Sequence, residues 1–174
     1  AIDMACQNLK LNRSNKALAG GVNNIIDPKS HMIFCKINAL SIDGKCKTFD
    51  ESANGYGRGE GCGMIFLERL SDAEKANKFI HGVIKGSSVK EDGKSSTLTA
   101  PNGTAQQLVI KTALKEANVK AQQIEYIEAH GTGTPLGDPI ETNSIVATYG
   151  KNRKSNLYLG AVKANIGHLE TAAG

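Results

Sequence analysis

Two histidines sit where apolar strands run out into small-residue loops. Glu128-Ala129-His130-Gly131-Thr132-Gly133-Thr134-Pro135-Leu136-Gly137-Asp138 carries the first, and Lys163-Ala164-Asn165-Ile166-Gly167-His168-Leu169-Glu170 repeats the arrangement. Strand ends are where α/β folds gather binding and catalytic groups, because a rigid sheet aims them and an irregular backbone exposes them. Two imidazoles delivered from two strand ends can converge and donate hydrogen bonds to one developing oxyanion. In that arrangement Lys163 sets the local field, and Glu170 orients or balances it. Spacing alone admits the plainer reading equally: Lys163 and Glu170 as surface charges, His168 as a helix cap, and His130 as a loop histidine. His31 and His81 have no glycine loop or charged partner nearby and read as structural.

Other chemistries fail on inspection. The glycine clusters at 55–63 and 131–137 complete no G-x-G-x-x-G pattern, and no phosphate-loop lysine follows either of them, which argues against a nucleotide cofactor. Cys6, Cys35, Cys46 and Cys62 form no C-x-x-C pair, which argues against structural zinc. With no secretory signal, they read as reduced thiols in a cytoplasmic protein. The net charge of +4 comes from 21 basic and 17 acidic residues scattered along the chain; without a basic block or any Trp, a nucleic-acid partner is not expected. No apolar run is long enough to span a bilayer.

The elements that must position the histidines are legible in outline. Ile2, Cys6 and Leu9 have helical spacing over 1–11. The small residues of 17–22 predict a strand in a crowded sheet, and Asp27-Pro28 opens a second helix. Residues 41–61 read as irregular, 64–67 as a strand, 75–78 as the end of a short polar helix, and 79–89 as another strand. Ile110, Leu114 and Ala117 define a helix over 104–117. Strands are predicted at 124–130 and 157–162. Between them lies a helix with Asp138 as N-cap, Pro139 at its first position and Glu141 at N3. Strands alternating with helices predict an α/β fold over the 174 residues. The chain opens at Ala1 with a helical pattern under way and stops at Ala172-Ala173-Gly174, so it is expected to be incomplete at both ends.

These segments resemble the β-ketoacyl synthases, particularly the ketosynthase domains of modular polyketide synthases. The resemblance runs through Ala17-Leu18-Ala19-Gly20-Gly21-Val22-Asn23, Asp43-Gly44-Lys45-Cys46-Lys47-Thr48-Phe49-Asp50, Gly55-Tyr56-Gly57-Arg58-Gly59-Glu60-Gly61 and Leu98-Thr99-Ala100-Pro101-Asn102-Gly103. It continues through both histidine blocks. It implies a thiolase-like fold layered α-β-α-β-α, with residues 1–78 the later part of the N-terminal half and 79–174 the first part of the C-terminal half. It implies His130 and His168 as catalytic, Lys163 and Glu170 as supporting charges, and Thr132 and Thr134 as holding a pantetheine arm. Neither metal nor cofactor is implied on the domain itself, since substrates ride on the phosphopantetheine of an acyl carrier protein. The expected assembly is a homodimer.

The implied activity is decarboxylative condensation of an acyl thioester with a malonyl-type extender. A non-catalytic acyl-binding or scaffold domain and a coenzyme A-dependent acyltransferase are the alternatives. Asn54, Thr97 and Lys90-Glu91 depart from common family residues and bear on substrate range or packing. Asp3-Met4-Ala5-Cys6 imitates the family's nucleophile motif, but Gln7-Asn8-Leu9 follow it, and Cys6 lies only eleven residues before Ala17. Cys6 is therefore expected to be a mid-helix structural residue, with the nucleophile about three helical turns upstream of it.

Overall fold

The computed structural model describes residues 1–93 and 100–173. Leu98 and Thr99 of the quoted motifs, the departure at Thr97, and Gly174 lie outside the described residues.

The first half runs α1 (Ile2–Lys10), β1 (Lys16–Asn23), α2 (Pro28–Lys36), β2 (Gly61–Glu68) and α3 (Leu70–Lys75). β1 and β2 pair antiparallel, from Lys16 opposite Glu68 to Asn23 opposite Gly61. The small residues of β1 have a steric cause: a Cβ on Gly20 would lie 2.0 Å from the Gly63 carbonyl oxygen. α2 starts at Pro28 as expected, and Asp27 caps it, its side chain accepting from the Lys29 N–H at 2.8 Å. Arg69 binds the end of α1 to the start of α3. Its guanidinium donates to the Leu9 and Ser14 carbonyls, and Nε donates to Asp72 at 2.8 Å.

The second half runs α4 (Gly103–Ala117), β3 (Tyr126–Glu128), α5 (Gly137–Tyr149), β4 (Tyr158–Gly160) and α6 (Lys163–Ile166), with short 3₁₀ turns at Ala121–Gln123 and Glu170–Ala172. β3 and β4 are parallel, with α5 as the crossover between them. α4 starts where the Asn102 side chain accepts from the Thr104 and Ala105 N–H groups, and stops at Asn118 in the left-handed conformation. α4 packs on α5 at Ser144, the most deeply buried side chain among the described residues, whose hydroxyl donates to the Gly103 carbonyl across the contact. Among the polar contacts between these two stretches are Lys10 to Glu116 at 2.6 Å, and the Ser87 hydroxyl donating to Asp3 at 2.6 Å.

Residues 79–89 do not form the expected strand; among the described residues no neighbouring backbone pairs with them. A strand exists only through its ladder, and apolar Ile80, Val83 and Ile84 do not by themselves supply a partner. The segment instead presses on the end of α4, where a Cβ on Gly86 would lie 2.6 Å from the Ala117 nitrogen. With α1 and β2 it bounds an apolar groove of about 1020 Å³, lined in part by Cys6, Leu9, Phe66, Phe79 and Val83.

Cys46 is enclosed where the irregular 41–61 segment folds over itself. Its sulfur accepts from the Gly57 N–H at 3.3 Å, and burial pushes the thiol pKa up. A thiolate reagent has neither access nor an ionised target there. Cys46 should therefore stay unmodified by iodoacetamide in the native protein and react fully after denaturation; native labelling at mass-spectrometric detection would contradict this packing.

Candidate active site

His130 leaves the end of β3, and the loop after it is bound by carboxylates reaching back from α5. Glu141 accepts from both the His130 and Gly131 N–H groups, at 2.6 and 2.8 Å. Asp138, 4% exposed, accepts from Gly133 and Thr134 with one oxygen and from Phe49 with the other. This corrects the expected capping role of Asp138. The helix begins at Gly137 with Leu136 as N-cap and no side-chain cap, and both carboxylates serve the histidine loop instead.

The loop needs glycine. Gly131 (φ +48) and Gly133 (φ +78) have left-handed backbones. A Cβ on Gly133 would stand 2.6 Å from the Lys47 nitrogen. Thr48 donates to the Gly131 carbonyl at 2.6 Å, and the Gly55 N–H donates to the Gly133 carbonyl at 3.0 Å.

His168 follows α6 through Gly167 (φ +76). Its N–H donates to the Gly57 carbonyl at 2.7 Å, and its carbonyl accepts from the Gly59 N–H at 2.9 Å. The Glu170 N–H donates to Nδ1 at 3.0 Å. That bond assigns the tautomer: Nδ1 is the acceptor, and the proton sits on Nε2 as a free donor. The His130 and His168 rings lie 5.3 Å apart between centroids and nearly perpendicular, at 87°. The Tyr56 ring flanks His168 at 5.0 Å.

Both imidazoles are held neutral. Burial, then neighbouring His130 and Lys163, bring His168 down to about 4, and burial followed by Lys163 lowers His130. His130 opens to solvent on one side, yet enough protein surrounds its ring to desolvate it. For His168 the unfolded chain binds more protons between its ordinary 6.5 and about 4. Its contribution to stability is thus present above 6.5 and lost as the pH falls through that window. An NMR titration should keep His168 neutral at pH 5.5; a midpoint near 6.5 would contradict the geometry.

Lys163 is 7% exposed, and among the described residues no hydrogen bond or ion pair forms on its ammonium. The expectation of a surface charge fails; its field falls on both histidines. Glu170 forms a two-pronged ion pair with Arg58, at 2.7 and 2.8 Å, which lowers its carboxyl pKa. The Thr132 and Thr134 hydroxyls lie 3.3 Å apart, and Thr134 also accepts from the Gly137 N–H at the start of α5.

Arg58 and Tyr56 were not singled out from sequence. Their glycine-rich segment enters the sequence analysis as a failed phosphate loop and as part of the family resemblance, with no role for either side chain; the signal was a charged and an aromatic residue inside a cluster with no phosphate-binding pattern. Cys6 falls in the middle of α1, as expected, away from the free N–H groups of a helix start. Among the described residues no group of His, Cys, Asp and Glu side chains could hold a metal ion, and no helix is long and apolar enough to cross a membrane.

Residues 1–73 match the family described as Beta-ketoacyl synthase, N-terminal domain, and 81–174 match Beta-ketoacyl synthase, C-terminal domain. Among curated proteins, polyketide synthase GfsA of Streptomyces halstedii is 49% identical over the whole chain, which spans 2% of that protein. The 6-methylsalicylic acid synthase of Penicillium terrestre is 46% identical, again over the whole chain and 10% of the relative. The chain thus spans a small part of the curated relatives it matches. Of solved structures, the ketosynthase from module 6 of the bacillaene synthase of Bacillus subtilis 168 superimposes with a TM-score of 0.93 at 38% identity, over 97% of this chain and 31% of that one. The oxazolomycin ketosynthase domain of Streptomyces albus JA3453 gives 0.96 at 36% identity, over 100% and 30%. These likenesses establish the thiolase-like ketosynthase fold. Because the two family matches take up nearly all the sequence and the solved ketosynthases follow its backbone along its length, the chain belongs to the β-ketoacyl synthase family.

Proposed function

We propose that these residues form the extender side of a ketosynthase site, in a protein that builds polyketide chains by decarboxylative condensation. The observation that carries this is the pair of neutral imidazoles 5.3 Å apart, one at the end of β3 and one following α6, with the His168 proton fixed on Nε2. A malonyl-type extender on the phosphopantetheine of an acyl carrier protein loses CO₂ when its carboxylate carbon–α-carbon bond breaks. The electron pair moves into a thioester enolate, and negative charge gathers on the thioester oxygen. His130 and His168 donate to that oxygen, each such donor being worth on the order of 3 kcal/mol. The enolate carbon then attacks an acyl-cysteine thioester, the carbon–sulfur bond breaks, and a cysteine thiolate leaves.

Lys163 supplies positive potential beside the forming oxyanion and disfavours a cationic imidazole. Thr132 and Thr134 face the pantetheine arm, a role supported by two hydroxyls placed together beside His130. Cys6 lies mid-helix and Cys46 is sealed by Gly57, which supports an acyl-carrying thiol other than these two, upstream of Cys6 in the complete protein. The two family matches fall on either side of residues 74–80 and support halves dividing at 1–78 and 79–174. The working assembly is a cytoplasmic homodimer served by the carrier protein.

The test is CO₂ release from malonyl carrier thioester by the complete protein, with and without a bound acyl chain. Release with formation of a β-ketoacyl carrier thioester is expected. Acyl exchange on free coenzyme A without decarboxylation would favour a thiolase-like transferase, and acyl retention without either reaction a scaffold.

A further inference from the structure

Three facts about Glu170 belong together. Its backbone is left-handed (φ +41), a conformation that side-chain-bearing residues hold only when their surroundings impose it. Its N–H is the donor to His168 Nδ1. Its carboxylate is gripped by both prongs of Arg58, in an ion pair whose side chains are only 7% and 18% exposed. The guanidinium is itself fully placed: its third nitrogen donates to the Ser30 hydroxyl at 3.1 Å, and the Phe34 ring lies under it at 5.1 Å. The Tyr56 hydroxyl donates to the same carboxylate at 3.3 Å while its ring packs on His168. The Arg58 backbone bridges to that of His168, so the clamp and the imidazole share one rigid unit.

We propose that Arg58 is a positioning residue for His168: it clamps the Glu170 carboxylate, keeps Glu170 left-handed, and so holds the Glu170 N–H on Nδ1 and the imidazole proton on Nε2. Arg58 touches no reacting atom and acts through Glu170. The consequence for rate rests on the condensing role proposed above; the consequence for the tautomer does not. Lysine cannot replace the fork, since an ammonium engages one carboxylate oxygen well and does not match the planar two-pronged geometry.

The experiment compares Arg58→Gln, Arg58→Lys and Tyr56→Phe in the complete protein labelled with ¹⁵N-histidine. Wild type should show His168 with an unprotonated Nδ1 and a protonated Nε2. Arg58→Gln should give a mixed tautomer and lower decarboxylation roughly 10–100-fold, the scale seen when the orienting partner of a metal-bound histidine is removed. Acyl loading of the nucleophilic cysteine should stay near wild type. Arg58→Lys should fall between the two, and Tyr56→Phe should shift the tautomer least. Lys78→Gln breaks a remote ion pair with Glu68 and should lower stability without moving the tautomer. If Arg58→Gln does not fold, Arg58→Lys and Tyr56→Phe carry the comparison. An unchanged Nε2–H tautomer in the folded variants overturns the proposal, as does loss of acyl loading in step with decarboxylation. A wild type that releases no CO₂ sinks the condensing role alone, and the tautomer comparison still decides Arg58.

Discussion

Replacing His168 with alanine in the complete protein should lower malonyl decarboxylation and condensation by roughly 10²–10³, the cost of removing one donor from an oxyanion site. His130→Ala should do the same. Their rings lie 5.3 Å apart and edge to face, close enough to bind a single oxygen and too close to serve separate substrates. The double variant should therefore lose much less than the product of the single losses, because groups acting as a unit are not additive. Acyl loading of the cysteine, which places its charge elsewhere, should be spared. Measuring loading, CO₂ release and melting temperature on the same three variants separates catalysis from packing. If loading and CO₂ release fall equally and follow the melting temperature, the histidines are structural.

Asp138→Ala is expected to be the most damaging single change for stability. Its carboxylate is the only acceptor shown for the N–H groups of Phe49, Gly133 and Thr134 among the described residues, at 2.8, 3.1 and 3.4 Å. Leaving a buried donor unmet costs about 1–3 kcal/mol, and water admitted to the gap recovers only part of it, so a loss of about 3 kcal/mol or more is expected. Phe49 adds to this, since it is left-handed (φ +59) and its N–H bond to Asp138 helps hold it there. Asp138→Asn keeps one carbonyl oxygen and should lose about half as much. Urea denaturation of the complete protein gives the comparison. Equal midpoints for wild type and Asp138→Ala would show that the carboxylate is not what organises the loop.

Local signals in the sequence proved legible wherever the decisive partner lay a few residues away. Asp27-Pro28 opens its helix because the Asp27 side chain bonds an N–H group two residues on. The crowded small-residue strand and the strand-end position of His130 were legible for the same reason, whereas the short helix α6 that stands between β4 and His168 was not read from sequence.

Long-range geometry was not legible. Asp138 and Glu141 have the residue types of a helix start, and carboxylates that accept backbone N–H groups are what such a start calls for. Here the N–H groups belong to the loop before the helix and to Phe49, 89 residues back. Arg58 and Glu170 are 112 residues apart, and no periodicity announces an ion pair at that range. At 79–89 the apolar Ile80, Val83 and Ile84 suggested a strand, but apolar content does not name the neighbour a strand must pair with.

The irregular segment 41–61 acts as a mould in which both histidine loops are cast. Thr48, Phe49 and Gly55 grip the 131–138 turn, while Gly57, Arg58 and Gly59 grip His168 and Glu170. The mould lies before the junction of the two family matches, and the castings lie after it. For anyone recombining synthases, the junction near residues 74–80 is therefore a poor crossover point despite its position between domains. A hybrid cut there would inherit the mould from one parent and the histidine loops from another, whereas a crossover upstream of residue 41 would move them together.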